Sequence, residues 1–221
     1  MQEPYWRERW ETGRTGFHEP EPNAELRAHV ARLRDGASTA EPRVLVPLCG
    51  KSTDLAFLVG SGFAVTGVEF VEQAAEAFFQ ERALTPTREP WHGFAALSAN
   101  SVRIAVGDFF TLSLPPNERF DAAYDRAALI AVRPDERERY VSTCLEALRP
   151  GARILLVSLY LDGGAPTGPP FSISEDEIRA LFHRESVERI DEKDITASEA
   201  HLRERGAAKV LEEVWLVSKR A

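Results

Sequence analysis

From residue 23 to the end of the chain, helix-patterned and strand-patterned segments alternate at short spacing, and this alternation limits the fold more than any other feature. Asn23 is placed to cap a helix over Ala24–Arg34, where Leu26, Val30 and Leu33 make one apolar stripe and Asp35-Gly36 stops it. The run Arg43–Leu48 suits a buried strand, and Asp54–Ser61 suits a helix. A strand over Ala64–Glu69, a helix over Glu72–Arg82 and strands over Ser101–Val106 and Phe120–Tyr124 follow, the last ending at Asp125. Pro134 opens a helix over Asp135–Leu148 that Pro150-Gly151 ends, and Ala152–Leu161 is the longest apolar strand. Ser174-Glu-Asp-Glu177 is a capping box for a helix over Glu175–Phe182, and strands near Val187–Ile190 and Val210–Ser218 close the chain. Repeated βα units with such short connections predict an α/β fold: a Rossmann-like, mostly parallel sheet with helices on both faces. The closing strands lack a full crossover helix between them, so an antiparallel last strand is expected.

Composition narrows the function. At 221 residues one compact domain over 1–221 is expected, with residues 1–22 as an N-terminal lid segment. The net charge of −8 repels phosphate backbones and argues against nucleic acid as a partner. Neither a membrane-spanning run nor a signal peptide is visible. Cys49 and Cys144 lack metal-ligand spacing and read as thiols of a reducing compartment. A cytoplasmic α/β enzyme, monomeric and without metal, is the expectation.

In such sheets ligands bind at the carboxyl ends of the strands, where strand order reverses. The first turn reads Val46-Pro-Leu48-Cys-Gly-Lys-Ser-Thr-Asp54. Gly50-Lys51-Ser52 resembles the end of a P-loop, but the glycine that motif requires at position 45 is Leu45. The three-glycine dinucleotide fingerprint is absent too. Glu69 ends the second strand 19 residues past Gly50, the distance at which an acid accepts both hydroxyls of a ribose. That pairing favours adenosine without separating a nicotinamide cofactor from S-adenosylmethionine. Asp108, followed by Phe109, either caps the next segment or meets an adenine ring. Asp125 and Arg126 adjoin the cleft, with Arg126 facing an anionic group or making a surface ion pair. Aromatic residues form 9% of the chain, yet Tyr5, Trp6, Trp10 and Phe17 all precede residue 20, with His18 beside them. Trp6 and Trp10 share one helical face, and the glycine-bearing segment after them suits a lid better than a packed element.

Taken together, Trp6-x3-Trp10, Gly16-Phe-His18, Leu45-Val-Pro-Leu-Cys-Gly-Lys-Ser52, Gly67-Val-Glu69, Phe78-Phe79, Gly107-Asp-Phe-Phe110, Tyr124-Asp-Arg-Ala-Ala-Leu129 and Gly168-Pro-Pro-Phe171 resemble the thiopurine S-methyltransferase family in its bacterial form, in order and over essentially the whole chain. The resemblance implies a class I methyltransferase fold with seven strands, S-adenosylmethionine as cofactor, no metal, and a small, aromatic or heterocyclic thiol as acceptor. It implies that Trp6, Trp10, Phe17, Leu48, Glu69, Asp108, Phe109 and Arg126 contact the cofactor. It places Phe17, His18, Arg126, Pro170 and Phe171 around the acceptor, with Arg126 positioning the thiolate. Two positions depart from the pattern: Phe57 replaces a frequent Trp, and His201 stands where an Arg is frequent, with Arg203 or Arg205 as substitutes. Methyl transfer from a sulfonium needs alignment, which supplies roughly 7–11 kcal/mol, and exclusion of water, but no obligatory acid or base. His18 and His201 are the only local candidates for one. Selenium, tellurium, halide, thiocyanate or natural-product thiol acceptors are the near alternatives. A nicotinamide oxidoreductase and a silent cofactor binder are the distant ones.

Overall fold

The computed structural model describes residues 3–16, 18–35, 37, 39–163 and 168–220. Its elements are α1 (Glu3–Glu11), α2 (Ala24–His29), β1 (Arg43–Pro47), α3 (Thr53–Gly60), β2 (Ala64–Glu69), α4 (Glu72–Gln80), β3 (Thr87–Trp91), β4 (Phe94–Ala99), β5 (Val102–Val106), β6 (Phe120–Arg126), α5 (Arg137–Ala147), β7 (Leu148–Asp162), α6 (Glu175–Leu181), β8 (Ser186–Asp194), α7 (Ala200–Glu204) and β9 (Lys209–Ser218).

One sheet holds all the strands in the order β3-β4-β5-β2-β1-β6-β7-β9-β8. The inner strands β5, β2, β1, β6 and β7 pair in parallel, and β9 runs antiparallel to both β7 and β8, as expected of the last strand. The seven expected strands are all present. The sheet is larger than seven, because β3 and β4 form an antiparallel hairpin on the edge of β5. Its turn, His92-Gly93, has positive φ at both residues (47° and 85°), the geometry of a two-residue hairpin loop. The sequence concealed β3, whose mostly exposed Thr-Arg-Glu-Pro-Trp carries no apolar alternation and contains a proline, which only an edge strand tolerates.

Successive strand residues point to opposite faces, so each inner strand feeds two cores. Leu45, Val68, Ala123, Ile154 and Trp215 pack with Phe109, Tyr140, Cys144 and Ile178 beneath α5 and α6. Val44, Val46, Val65, Tyr124 and Leu155 pack with Leu26, Leu55, Leu58, Phe78 and Phe79 of α2, α3 and α4, and Phe57 packs against this cluster. The caps fall where the sequence placed them: Asn23 Oδ1 accepts from Glu25 and Leu26 N–H, and Ser174 Oγ from Glu177 N–H. The helix expected over Ala24–Arg34 tightens to a 3-10 turn from Val30 onward. Both cysteines are buried and free. No helix among the described residues is long and apolar enough to cross a membrane.

Candidate active site

The strand order reverses between β1 and β6, and a cavity of about 420 Å³ opens at the carboxyl ends of these strands. Its first wall is the turn after β1. Leu48 and Gly50 both have left-handed backbone there (φ 47° and 52°), which swings the chain sharply toward α3. A Cβ on Gly50 would stand 3.0 Å from the Trp10 ring, so glycine lets the indole lie directly on the turn. Below it, Gly67 leaves room for Cys49, whose Sγ would lie 2.4 Å from a Cβ at that position. Lys51 is engaged by Glu81, which accounts for the cation of the Gly-Lys-Ser triplet without any phosphate.

Glu69 is buried at the end of β2, with Oε2 accepting from Gly50 N–H (2.8 Å) and Oε1 from Val71 N–H (2.7 Å). Burial lifts its carboxyl above the usual range, and the backbone donors pull it back. Two hydrogen bonds occupy two of the roughly four acceptor positions of a carboxylate, so the group that fixes the turn keeps capacity for a ligand diol. These features fit an adenosine ligand: an acceptor pair at the floor, a turn without side-chain obstruction at Gly50, and an aromatic cover. The cover is α1, where Trp6 and Trp10 both line the cavity and Trp10 packs on Val71 and Ala74 at the start of α4.

The opposite end of the cavity is charged. Arg126, at the end of β6, is mostly buried and forms an ion pair with Glu19. Glu212 of β9 faces the same space beside Val157 and Leu159 of β7. Pro169 and Pro170 form one wall, and α7 with its flanks supplies Ile195, Glu199, His201 and Arg205. Arg205 donates to the carbonyls of Gly168 and Pro169 at 3.2 Å each, tying that wall together. His201 lines the cavity with a largely exposed ring, its Nδ1 3.2 Å from Glu199.

Not every expected residue comes to the cavity. The Phe109 ring is fully buried against Tyr140, with centroids 5.1 Å apart, and does not line the cavity. Asp108 caps Phe110 N–H at 3.0 Å and lies outside the lining. Phe171 anchors its loop through an N–H to the Ile130 carbonyl (2.7 Å), while Pro170 provides the wall. His18 lines a smaller neighbouring recess with Lys51 and Tyr124, and burial and Lys51 lower its pKa. Asp125 belongs to neither end, because the strand continues through it and turns its side chain into the core. There it accepts from Tyr140 O–H (2.7 Å) and Leu129 N–H (3.0 Å). Phe17 lies outside the described residues. Glu19 and Glu212 were missed, although two adjacent glutamates within the otherwise apolar run Val210–Val217 are a signal in themselves.

Comparison with known proteins agrees with this geometry. The model of the family described as thiopurine S-methyltransferase matches residues 1–220. A thiopurine S-methyltransferase of Pseudomonas fluorescens (strain Pf0-1) is 38% identical over 218 residues, covering 98% of this chain and 99% of its own. One of Azotobacter vinelandii is 38% identical over 221 residues and covers both chains completely. Among solved structures, the Burkholderia thailandensis 1,6-didemethyltoxoflavin-N1-methyltransferase, bound to 1,6-didemethyltoxoflavin and S-adenosylhomocysteine, superposes with a TM-score of 0.65 at 21% identity, over 99% of this chain and 87% of that one. TehB of Haemophilus influenzae gives 0.61 at 14% identity, over 90% and 64%. At these identities the structures establish the fold alone.

Proposed function

The chain belongs to the thiopurine S-methyltransferase family, and on that premise we propose that it moves the methyl group of S-adenosylmethionine to the sulfur of a small aromatic or heterocyclic thiol. The observation that carries the reading is one continuous cavity with two chemically different ends. A buried carboxylate, a glycine turn and two indoles lie at one end, and an arginine among acids and prolines at the other.

When bound, S-adenosylmethionine supplies an electrophilic methyl group on a positively charged sulfur. Glu69 holds the ribose diol through its remaining acceptor positions, and Leu48 and the Gly50 turn seat the cofactor against β1. Trp6 and Trp10 cover it and keep water from the methyl carbon. The adenine edge reaches past the lined cavity toward Asp108, two residues beyond β5, whose second carboxylate oxygen takes no part in capping Phe110. Arg126, at the acceptor end, attracts electron-rich sulfur, its charge tempered by Glu19. Pro170 and the α7 wall orient the acceptor, with His18 in the adjoining recess. Proximity and orientation carry most of the rate. In this reading the protein is a cytoplasmic monomer without metal that acts on small molecules rather than nucleic acid or membranes.

The test is S-adenosylhomocysteine formation across an acceptor panel: an aryl thiol, 6-mercaptopurine, selenite, thiocyanate, iodide, a phenol and a buffer blank. Turnover confined to the thiol acceptors is the expected result. Turnover with iodide or selenite in their place overturns the acceptor assignment.

A further inference from the structure

Among the described residues, Glu212 is the one cavity-lining carboxylate with neither a hydrogen-bond donor nor an ion-pair partner. Glu19 is held by Arg126, Glu69 by two backbone N–H groups, and Glu199 by His201. Glu212 is paired in register with Leu159 on β7 and Lys193 on β8, yet makes no ion pair with that lysine. Its side chain lines the acceptor end of the cavity, beside Val157 and Leu159. We propose that Glu212 is the proton acceptor of the methyl transfer, and that it selects acceptors presenting an N–H beside the sulfur, as cyclic thioamides do. This inference rests on the S-methyl transfer reading.

The charge pattern favours such an acceptor over a preformed thiolate. Facing Glu212 are Arg126 from β6, Glu19 from the segment before α2, Glu25 from α2 and Lys193 from β8. With Arg126 already paired to Glu19, the surplus at this end is negative and repels a thiolate, whereas a neutral thione with an N–H finds an unoccupied acceptor. Burial first, then Glu25, holds the Glu212 carboxyl above the ordinary carboxylate range against the pull of Arg126. A carboxylate raised in this way is a better base than one in water.

The step balances on the acceptor. A sulfur lone pair forms the new S–CH3 bond while the donor's CH3–S bond breaks, and its electron pair returns to the donor sulfur, leaving S-adenosylhomocysteine. The acceptor's C=S becomes C–S and its ring C–N becomes C=N as the N–H bond breaks. The proton passes to Glu212 and from there to water.

The experiment compares pyridine-2-thione, which carries the N–H, with thiophenol, which does not. In Glu212→Gln, kcat/KM for pyridine-2-thione should fall about 100-fold, the lower range for a lost general base. For thiophenol it should rise, because a charge that repels thiolate is gone. The acidic limb of the wild-type profile with the thione should vanish in Glu212→Gln and survive, at a lower rate, in Glu212→Asp. Independently of turnover, calorimetric binding of pyridine-2-thione to the S-adenosylhomocysteine complex should weaken about tenfold in Glu212→Gln, as expected for a lost charge-assisted hydrogen bond. Equal changes for both acceptors, or an unchanged acidic limb, overturn the role of Glu212 and leave S-methyl transfer standing. A wild-type protein that methylates neither acceptor overturns both. If Glu212→Gln fails to bind S-adenosylhomocysteine, the Glu212→Asp profile decides: a limb no different in position from that of wild type counts against the proposal.

Discussion

The two ends of the cavity rest on the same device used in different ways. At the cofactor end, Glu69 grips the backbone of Gly50 and Val71 and itself lines the site. At the acceptor end, Asp125 grips Leu129 N–H and so holds the loop that presents Ile130 and Ala131, but it hides in the core and leaves the cavity wall to its neighbour Arg126. One buried carboxylate is scaffold and cavity lining at once, and the other is scaffold only. The difference teaches why the cofactor end tolerates little change while the acceptor end can vary. Replacing Glu69 touches the turn and the cavity lining together, whereas Arg126, which lines the other end, stands one position away from the Asp125 that holds the loop.

The sharpest way to break this comparison is Glu69→Ala. Losing two hydrogen bonds to a charged acceptor costs about 3 kcal/mol, so the Kd for S-adenosylhomocysteine should rise about 100-fold by calorimetry. At saturating cofactor, the KM for a thiol acceptor should stay within about threefold if the two ends are separable. A KM that rises as far as the Kd would mean the ends are one unit.

Asp125→Asn probes the other scaffold. The Asp125 carboxyl is raised from 3.8 to about 6, chiefly by burial, which outweighs the bonds from Tyr140 and Leu129. The folded state therefore holds this proton more tightly than the unfolded chain. The resulting stabilisation is complete below about pH 4 and lost as pH rises through 6, on the order of 3 kcal/mol. Urea unfolding at pH 4 and pH 7 should show wild type losing ground to Asp125→Asn over that interval. Parallel behaviour of the two proteins would place the proton elsewhere.

These two carboxylates also mark how far the sequence could be read. Glu69 was legible because turn, spacing and strand end lie within one βα unit, where local rules apply. The same holds for the helix caps Asn23 and Ser174. Asp125 and Arg126 were legible as a pair but not in their division of labour. That division depends on the strand running two residues further than its apolar run suggests, which sends consecutive side chains to opposite faces. The direction of the Phe109 ring is hidden for a related reason: an aromatic after a strand end reads the same whether it turns to a ligand or, as here, to Tyr140. Glu19 and Glu212 are 193 positions apart in the chain, and only the closed sheet brings them to one wall.

Arg126→Ala is expected to have a smaller effect than either scaffold change. At saturating cofactor, kcat/KM for an aryl thiolate should fall at least about tenfold, or ~1.4 kcal/mol, while the cofactor Kd moves less than about threefold. A smaller loss removes Arg126 from the steering of sulfur.

Glu19→Gln should have the smallest effect and the opposite sign. Glu19 is about half exposed while Arg126 is mostly buried, so their ion pair is screened on one side and contributes little to stability, within about 1 kcal/mol. Its consequence is for the field at the acceptor end. Neutralising Glu19 leaves the Arg126 charge less compensated and removes one of the acids around Glu212, so a thiolate acceptor should gain about threefold in kcat/KM at low ionic strength. That gain should shrink as salt is raised, because an exposed charge is screened within a Debye length of about 10 Å at 0.1 M. Glu69→Ala and Glu19→Gln then bracket the comparison. A carboxylate that is both scaffold and contact gives a large loss that salt does not relieve, and one that only shapes a field gives a small gain that salt abolishes. A Glu19→Gln protein that loses activity instead would show that the Arg126–Glu19 pair positions the wall itself, making the acceptor end as much a scaffold as the cofactor end.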